Sequence, residues 1–242
     1  MLALITGGSG GIGEGIAKEL SSKGYTVAVN YNSSKEEADR IVSSILSAGG
    51  KAKAYKCDVS QKSEVDKMIS DIKNDFGDVD VLVNNAGVSH IGLLTDVTDE
   101  EYDRLMGINV KGVFNVTKAV LPGMIHQKKG NIVNISSMWG EVGASCEVIY
   151  STSKAAVIGF TKALAKEVGL SGIRVNCVTP GVIDTKMNAC HTEETLKELC
   201  EETPLSRIGN PLDVAKVVSF LVSEDASFVT GQVVPVNGGF VI

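Results

Sequence analysis

The sequence predicts an α/β fold: one doubly wound parallel sheet of about seven strands, with helices on both faces. Three observations predict it. Short apolar runs alternate with stretches of helical period along all 242 residues. The runs are continuously apolar, as in Leu2-Ala3-Leu4-Ile5, which marks strands covered on both sides and so a parallel sheet. The first run enters a glycine cluster, Gly7-Gly8-Ser9-Gly10-Gly11-Ile12-Gly13, and a helical pattern follows at once.

The elements follow in order. Leu2–Thr6 is the first strand. The helix after it carries Ile12, Ile16 and Leu20 on one side and stops at Gly24. Tyr25–Tyr31 is the second strand, and Ser34–Ala48 a helix with Ala38, Ile41, Val42, Ile45 and Leu46 as its inner stripe. Lys51–Cys57 is a strand, Ser63–Phe76 a helix and Val79–Val83 the fourth strand. Glu100–His126 is a long helical region that Pro122 should bend or interrupt. Asn131–Ile135, helix Tyr150–Val168, Arg174–Val178, helix Pro211–Ser223 and strand Gln232–Val236 complete the pattern. Pro211 suits a first helical turn. The polar stretch Asp184–Asn210 breaks the rhythm after a strand's carboxyl end, where ligands sit in such folds, and is a candidate substrate lid or a plain surface excursion. No linker divides the chain, so residues 1–242 read as one dinucleotide-binding and catalytic domain.

Composition excludes several functions. Hydrophobic residues make up 43% and charged residues 21%, as in ordinary globular proteins. A net charge of −6 and interleaved lysines and acids argue against a nucleic-acid face. There is no basic, apolar leader and no window of membrane-span length, so a cytoplasmic protein without membrane attachment is expected. The five cysteines are odd in number, widely spaced and lack C-x-x-C, which points to reduced thiols and no zinc site.

The glycine cluster lies between a strand and a helix. Glycines there allow positive φ and close approach of a pyrophosphate, and the helix N-terminus adds free N–H groups. The spacing of Gly7, Gly11 and Gly13 is G-x-x-x-G-x-G. A plain tight turn is the competing account. After the second strand, Tyr31-Asn32-Ser33-Ser34 has no acid. A carboxylate there would grip ribose hydroxyls and repel a 2′-phosphate, so its absence favours NADP(H) over NAD(H). Asn32, Ser33 and Ser34 would donate hydrogen bonds and Lys35 add charge, unless they merely cap the next helix.

Tyr150 and Lys154, four apart at a helix start, share one face. A lysine ammonium favours phenolate and should lower the tyrosine pKa, which suits proton transfer to a carbonyl oxygen. Y-x-x-x-K alone is commonly a surface pair. Here Ser136-Ser137 follows a strand thirteen positions earlier, Asn84-Asn85-Ala86-Gly87 follows the fourth strand, Asn109 lies in the long helix, and Pro180-Gly181-Val182-Ile183-Asp184-Thr185 follows the sixth strand.

With these motifs and the closing Asn237-Gly238-Gly239, the sequence resembles the short-chain dehydrogenase/reductase family over essentially its whole length. The resemblance implies a Rossmann-type fold, a nicotinamide cofactor, and a catalytic set of Asn109, Ser137, Tyr150 and Lys154. Tyr150 would pass the proton, Ser137 would hold the carbonyl oxygen, Lys154 would hold the ribose, and Asn109 would position a helix carbonyl and a relay water. For the cofactor it implies contacts from Gly7, Ser9, Gly10, Gly11, Ile12, Gly13, Tyr31, Asn32, Ser33, Asp58, Val59, Asn84, Ala86, Gly87, Pro180, Gly181, Ile183 and Thr185, besides Tyr150 and Lys154. For Asp58 a helix N-cap is an equal account. A homotetramer is also implied, built on the helices starting near Glu100 and Tyr150 and on the last strand.

Within the family the sequence is similar to the 3-oxoacyl-(acyl-carrier-protein) reductases of fatty acid biosynthesis, through Lys111-Gly112-Val113-Phe114-Asn115 and Pro204-Leu205-Ser206-Arg207-Ile208-Gly209. It departs at Gly10, where those usually carry arginine. It also departs at Gly143-Ala144-Ser145-Cys146-Glu147-Val148-Ile149, which is similar to a bacterial subgroup that reduces an aminopentanone group on elongation factor P. Glu147 should sit at the substrate mouth and favour an amine-bearing ketone, unless it pairs with a lysine or faces solvent. A non-catalytic NADP-sensing module is the reading of another class.

Overall fold

The computed structural model describes residues 1–188 and 192–242. Its strands are β1 (Leu2–Ile5), β2 (Thr26–Tyr31), β3 (Lys51–Lys56), β4 (Val81–Asn84), β5 (Gly130–Ile135), β6 (Ile173–Pro180) and β7 (Val233–Val236). They form one seven-stranded sheet in the order β3-β2-β1-β4-β5-β6-β7, every pair parallel. The chain first builds outward from β1 to β3, then crosses to β4 on the other side of β1. That reversal opens a crevice at the carboxyl ends of β1 and β4.

The helices are α1 (Gly11–Ser22), α2 (Lys35–Ser47), α3 (Lys62–Phe76), α4 (Asp99–Met106), α5 (Gly112–Gln127), α6 (Trp139–Val142), α7 (Val148–Val168), α8 (Glu193–Glu202) and α9 (Pro211–Val222). Strand side chains alternate between faces, and each face has its own core. Ala3 and Ile5 pack with Ile16 and Leu20 of α1, Ile41 of α2 and Val214 and Val218 of α9. Leu2 and Leu4 pack with Val65 and Ile72 of α3, Val116 and Met124 of α5 and Leu164 of α7. Gly15 lets α1 approach α9: a Cβ there would lie 2.9 Å from the Pro211 Cβ.

Two helix starts are closed by reciprocal side-chain caps. Thr98 and Glu101 cap α4, and Asn210 and Asp213 cap α9, with Pro211 in its first turn.

The long helical region is not broken at Pro122. Pro122 lies inside α5, exposed to water along with Lys118, whose carbonyl the proline cannot bond. The irregularity is instead a π-helical stretch, Gly107–Lys111, joining α4 to α5 and carrying Asn109. The short helix α6 has no counterpart in the sequence reading, and β6 runs two residues further than expected, to Pro180.

The segment after β6 leaves and returns at a parallel bridge between Ile183 and Gly209. Its helix α8 has no buried residue, and Thr203 beyond it is buried. Among the described residues no helix is long and apolar enough to cross a membrane. Cys57, Cys146, Cys177 and Cys200 are free thiols; Cys190 lies outside the described residues.

Candidate active site

The crevice opens into a cleft of about 1480 Å³. Its floor is the loop after β1. Gly7 turns the chain with φ +59°, and a Cβ there would meet the Ala86 Cα at 2.9 Å. At Gly13 a Cβ would lie 2.3 Å from the Gly7 carbonyl oxygen, so the first turn of α1 can seat against the loop only as glycine. Side chains stitch the loop in place. The Thr6 hydroxyl accepts the N–H groups of Asn85 (2.9 Å) and Ala86 (3.0 Å). The Asn85 amide donates to the Thr6 and Gly7 carbonyls, each at 3.0 Å. Buried Asn30 accepts the Gly7 N–H at 3.1 Å and donates to the Cys57 carbonyl at 3.0 Å. A backbone cradle without room for Cβ atoms, opening onto a helix N-terminus, fits the pyrophosphate of a dinucleotide.

Ser9, Gly10, Gly11 and Ile12 line this cleft with Gly7, and Asn32, Ser33, Asp58 and Val59 line it from the ends of β2 and β3. Ala86, Gly87, Tyr150, Lys154 and Thr185 line it further along. Thr185 reaches the glycine loop, its methyl 3.2 Å from where a Gly11 Cβ would be.

Other expected residues lie behind the wall. The Tyr31 ring belongs to the core under α1 and α2. Asn84 is buried and donates to Thr117 (3.0 Å) and Asn134 (2.8 Å), and Asn134 donates to Thr161 at 2.9 Å. The Gly181 N–H donates to the Val236 carbonyl, the Pro180 carbonyl accepts from Met138, and Ile183 is a core residue. Asp58 is not a helix cap. Its carboxylate accepts the Ser60 N–H at 2.9 Å, and Gln61 occupies the cap position of α3. Nor does Ser34 cap α2 with its side chain. Lys35 pairs with Asp39 and does not line the cleft.

Tyr150 and Lys154 lie on one face of α7, both buried. The Ser136 hydroxyl donates to the Lys154 carbonyl at 2.7 Å and ties α7 to the end of β5. The Lys154 ammonium donates to the Ile135 carbonyl at 3.0 Å and stands 5.7 Å from the centre of the Tyr150 ring. The Ser137 hydroxyl accepts the Trp139 N–H at 3.2 Å and lies close enough to the Tyr150 phenol to favour its charged form. Leu105, Ile149, Val88 and Trp139 pack around the tyrosine, and Trp139 meets Phe240 edge to face. Tyr150 and Lys154 thus line the cleft together with Ser136, and Ser137 adjoins the phenol.

Burial pushes the Tyr150 phenol up to about 12, with Ser137 opposing and Glu147 adding to the rise. The expected depression by Lys154 is not seen. Lys154 is itself stripped of water, which pushes it down to about 8.

Asn109 is buried and acts on the wall of the cleft. Its Oδ1 accepts the Val88 N–H at 2.9 Å, and its amide donates to the Val88 carbonyl (2.9 Å) and the Ser153 hydroxyl (3.0 Å). Ser153 in turn donates to the Tyr150 carbonyl at 2.7 Å. Asn109 Oδ1 and Lys154 Nζ lie 3.3 and 3.4 Å from where a Gly87 Cβ would be, so a side chain there would press on both groups.

Glu147 stands at the head of α7, half-buried. Among the described residues its carboxylate has no hydrogen-bond or ion-pair partner, and burial pushes its pKa up.

Asn30, Asn85, Glu14, Lys18 and Arg40 were not anticipated. Asn85 adjoins the expected Asn84, but the alternation of β4 decides which of the two faces the loop. Arg40 comes from the middle of α2 and joins Glu14 of α1 through Nη1 (3.1 Å) and Nη2 (2.7 Å), a pairing without a local sequence signal.

Residues 7–241 match the family described as enoyl-(acyl carrier protein) reductase. The chain is 42% identical to the uncharacterized oxidoreductase YmfI of Bacillus subtilis (strain 168), covering 98% of each chain. It is equally, 42%, identical to the 3-oxoacyl-(acyl-carrier-protein) reductase FabG of Staphylococcus epidermidis, over 98% of this chain and 97% of the relative. The FabG of Haemophilus influenzae shares 42% over the same proportions. With a glycine cradle at the sheet's reversal point and Ser137, Tyr150 and Lys154 gathered beside it, the chain belongs to the short-chain dehydrogenase/reductase family of oxidoreductases.

Proposed function

We propose that the chain reduces a ketone with NADPH, and that the ketone is a 3-oxoacyl thioester on a carrier protein. The observation that carries this reading is that Tyr150 and Lys154 line a dinucleotide-sized cleft side by side, with Ser137 next to the phenol. Gly7 to Gly13 would seat the pyrophosphate, and Asn32 and Ser33 would face the adenosine ribose. A nicotinamide bound there supplies hydride.

The protein's own part is proton handling and orientation. A phenol near 12 keeps its proton at neutral pH, so Tyr150 is set to donate to a ketone oxygen. The Ser137 hydroxyl holds that oxygen and steadies its growing negative charge. Lys154, near 8, is the next donor inward and can restore the proton. Residues 184–188 and 192–210 would close over the substrate. Lys186 of that segment already meets Glu37 of α2 at 2.9 Å. An apolar groove of about 470 Å³, lined by Met106, Val110, Phe114 and Phe160 at α4, α5 and α7, supports the homotetramer reading. Light scattering at several concentrations tests it.

One observation favours a second substrate. An unpaired, half-buried carboxylate beside the catalytic tyrosine suits a substrate carrying an ammonium group, such as an aminoketone on elongation factor P. It does not suit an acidic carrier.

The test is NADPH and NADH oxidation with an acetoacetyl thioester and with an aminoketone, using Tyr150→Phe as control. Turnover of the thioester that Tyr150→Phe lowers by about 10²–10⁴-fold supports the first reading. Turnover of the aminoketone alone, lost about tenfold in Glu147→Gln, supports the second. Cofactor binding without Tyr150-dependent turnover of either would leave a cofactor-sensing module.

A further inference from the structure

Past Tyr150 the character of the site changes. Tyr150 and Lys154 line the cleft, but among the described residues none of α6 and none of 237–242 does. Two aromatic rings stand on that side instead. Trp139 opens α6, two residues after Ser137, and its backbone N–H donates to the Ser137 hydroxyl. Its side chain packs against the cluster of Leu105, Ile149 and Tyr150. The Phe240 ring meets the indole with 5.8 Å between centres and 85° between planes. Both rings are only partly buried, so each keeps surface for something other than protein.

The pair is held from both sides. α6 lies directly on α7: a Cβ on Gly140 would sit 2.8 Å from the Lys154 carbonyl carbon. Phe240 is fixed by a turn around Asn237. The Asn237 carbonyl accepts the Phe240 N–H at 3.2 Å, its Oδ1 accepts the Gly239 N–H at 2.9 Å, and its amide donates to the Val241 carbonyl at 2.8 Å. That turn is wedged against the segment returning from α8. A Cβ on Gly239 would meet Pro204 Cγ at 3.0 Å, and the Leu205 N–H donates to the Gly238 carbonyl at 3.2 Å. Rings packed and anchored in this way resist displacement by a larger ligand.

A ketone oxygen held by Tyr150 and Ser137 fixes where its neighbours go. The serine that holds the oxygen also holds the Trp139 backbone, so one of the two chains flanking the carbonyl carbon runs against the indole. We propose that Trp139, backed by Phe240, is a specificity-determining residue that limits the length of the acyl chain beyond the ketone. The proposal rests on the reading that the substrate is a 3-oxoacyl thioester. A terminal methyl fits beside the indole, whereas a chain several methylenes longer meets the ring.

The test is kcat/KM with NADPH for acetoacetyl, 3-oxooctanoyl and 3-oxododecanoyl thioesters of N-acetylcysteamine. A shaped pocket rejects one surplus methylene about tenfold or more, so the wild-type protein should favour acetoacetyl over 3-oxododecanoyl by at least about tenfold. Trp139→Ala should remove most of that difference by raising kcat/KM for the long chain, and Phe240→Ala should remove part of it. Trp139→Phe keeps a ring on α6, guards against a misfolded alanine variant, and should move the limit to 3-oxooctanoyl. Trp139 is the only tryptophan of the chain. Its emission should therefore shift when a 3-hydroxybutyryl thioester joins the NADPH complex, in which no hydride can move. Equal wild-type kcat/KM across the series, a loss equal at every length in both Trp139 variants, or unshifted emission overturns the proposal and leaves the thioester reading standing. A wild-type protein that binds NADPH but turns over none of the thioesters sinks that reading and the length limit together.

Discussion

Replacing Asn109 with alanine should loosen the wall of the cleft beside Lys154. The amide makes three hydrogen bonds, two to Val88 and one to Ser153, from a residue 1% exposed. Alanine leaves the Val88 N–H and carbonyl without partners, while Ser153 keeps its bond to the Tyr150 carbonyl. An orphaned buried polar group costs about 1–3 kcal/mol, and Val88 is only partly buried, so the loss should be about 2–4 kcal/mol. For a chain of this size that lowers Tm by roughly 5–15 °C. Urea unfolding at fixed protein concentration measures it, with an unchanged slope showing that the folded and unfolded states are otherwise alike. Because Gly87 borders Lys154 and Val88 packs with Tyr150, kcat should fall at least about tenfold, an expectation scaled to the rate cost of small misplacements. A stability loss under about 0.5 kcal/mol with unchanged kcat would refute the reasoning, since that is the scale of an ordinary surface substitution.

Three further outcomes follow from the same geometry. Gly13→Ala drives a Cβ to 2.3 Å from the Gly7 carbonyl, so it should destabilise by about 1–3 kcal/mol and weaken dinucleotide binding; fluorescence titration with NADPH checks it, and unaltered affinity would contradict the cradle. Gly15→Ala gains about 1 kcal/mol of helix propensity but presses on the Pro211 backbone oxygen at 3.0 Å, so a net loss of about 1 kcal/mol is expected in thermal melts, and a gain would mean that α9 yields. Lys154→Met should be more stable than wild type at neutral pH. The lysine's folded pKa, about 8, lies below its ordinary 10.5, so folding releases a proton between those values. The penalty is fully present below pH 8 and fades as pH rises to 10.5, a swing of about 3 kcal/mol in the variant's advantage, and melts at pH 7 and pH 10 read it.

Much of this was legible in the sequence. Apolar runs and helical stripes locate the strands and the major helices: burial on two faces leaves a continuous signal in the inner strands, while the edge strand β3, Lys51–Lys56, shows only alternation and is marked by its place between two helices. The glycine loop, Ser137, Tyr150 and Lys154 are legible because their chemistry demands particular residues at particular distances. The π-helical turn at Asn109 was not, because the apolar pattern continues across it and Pro122 is the stronger local signal. In the event Pro122 faces water, where its missing bond matters little. The rise in the Tyr150 pKa was illegible for a different reason. Spacing places the lysine beside the phenol but says nothing of how far both are withdrawn from water. Arg40 and Glu14 meet across 26 positions, and only the packing of α1 beside α2 joins them.

The buried ladder of Asn84, Asn134 and Thr161 has a consequence for how the chain finds its alignment. Asn84 and Asn134 are direct partners across β4 and β5. A slip of two residues would keep every side chain on its proper face, so apolar patterning alone would not penalise it. It would, however, set Asn84 against Ile132 or Asn134 against Leu82, stranding amides in a dry interior. Two asparagines at the centre of an apolar sheet thus act as a key that admits one pairing of the strands, and that pairing brings the ends of β4 and β5 level beside the cleft.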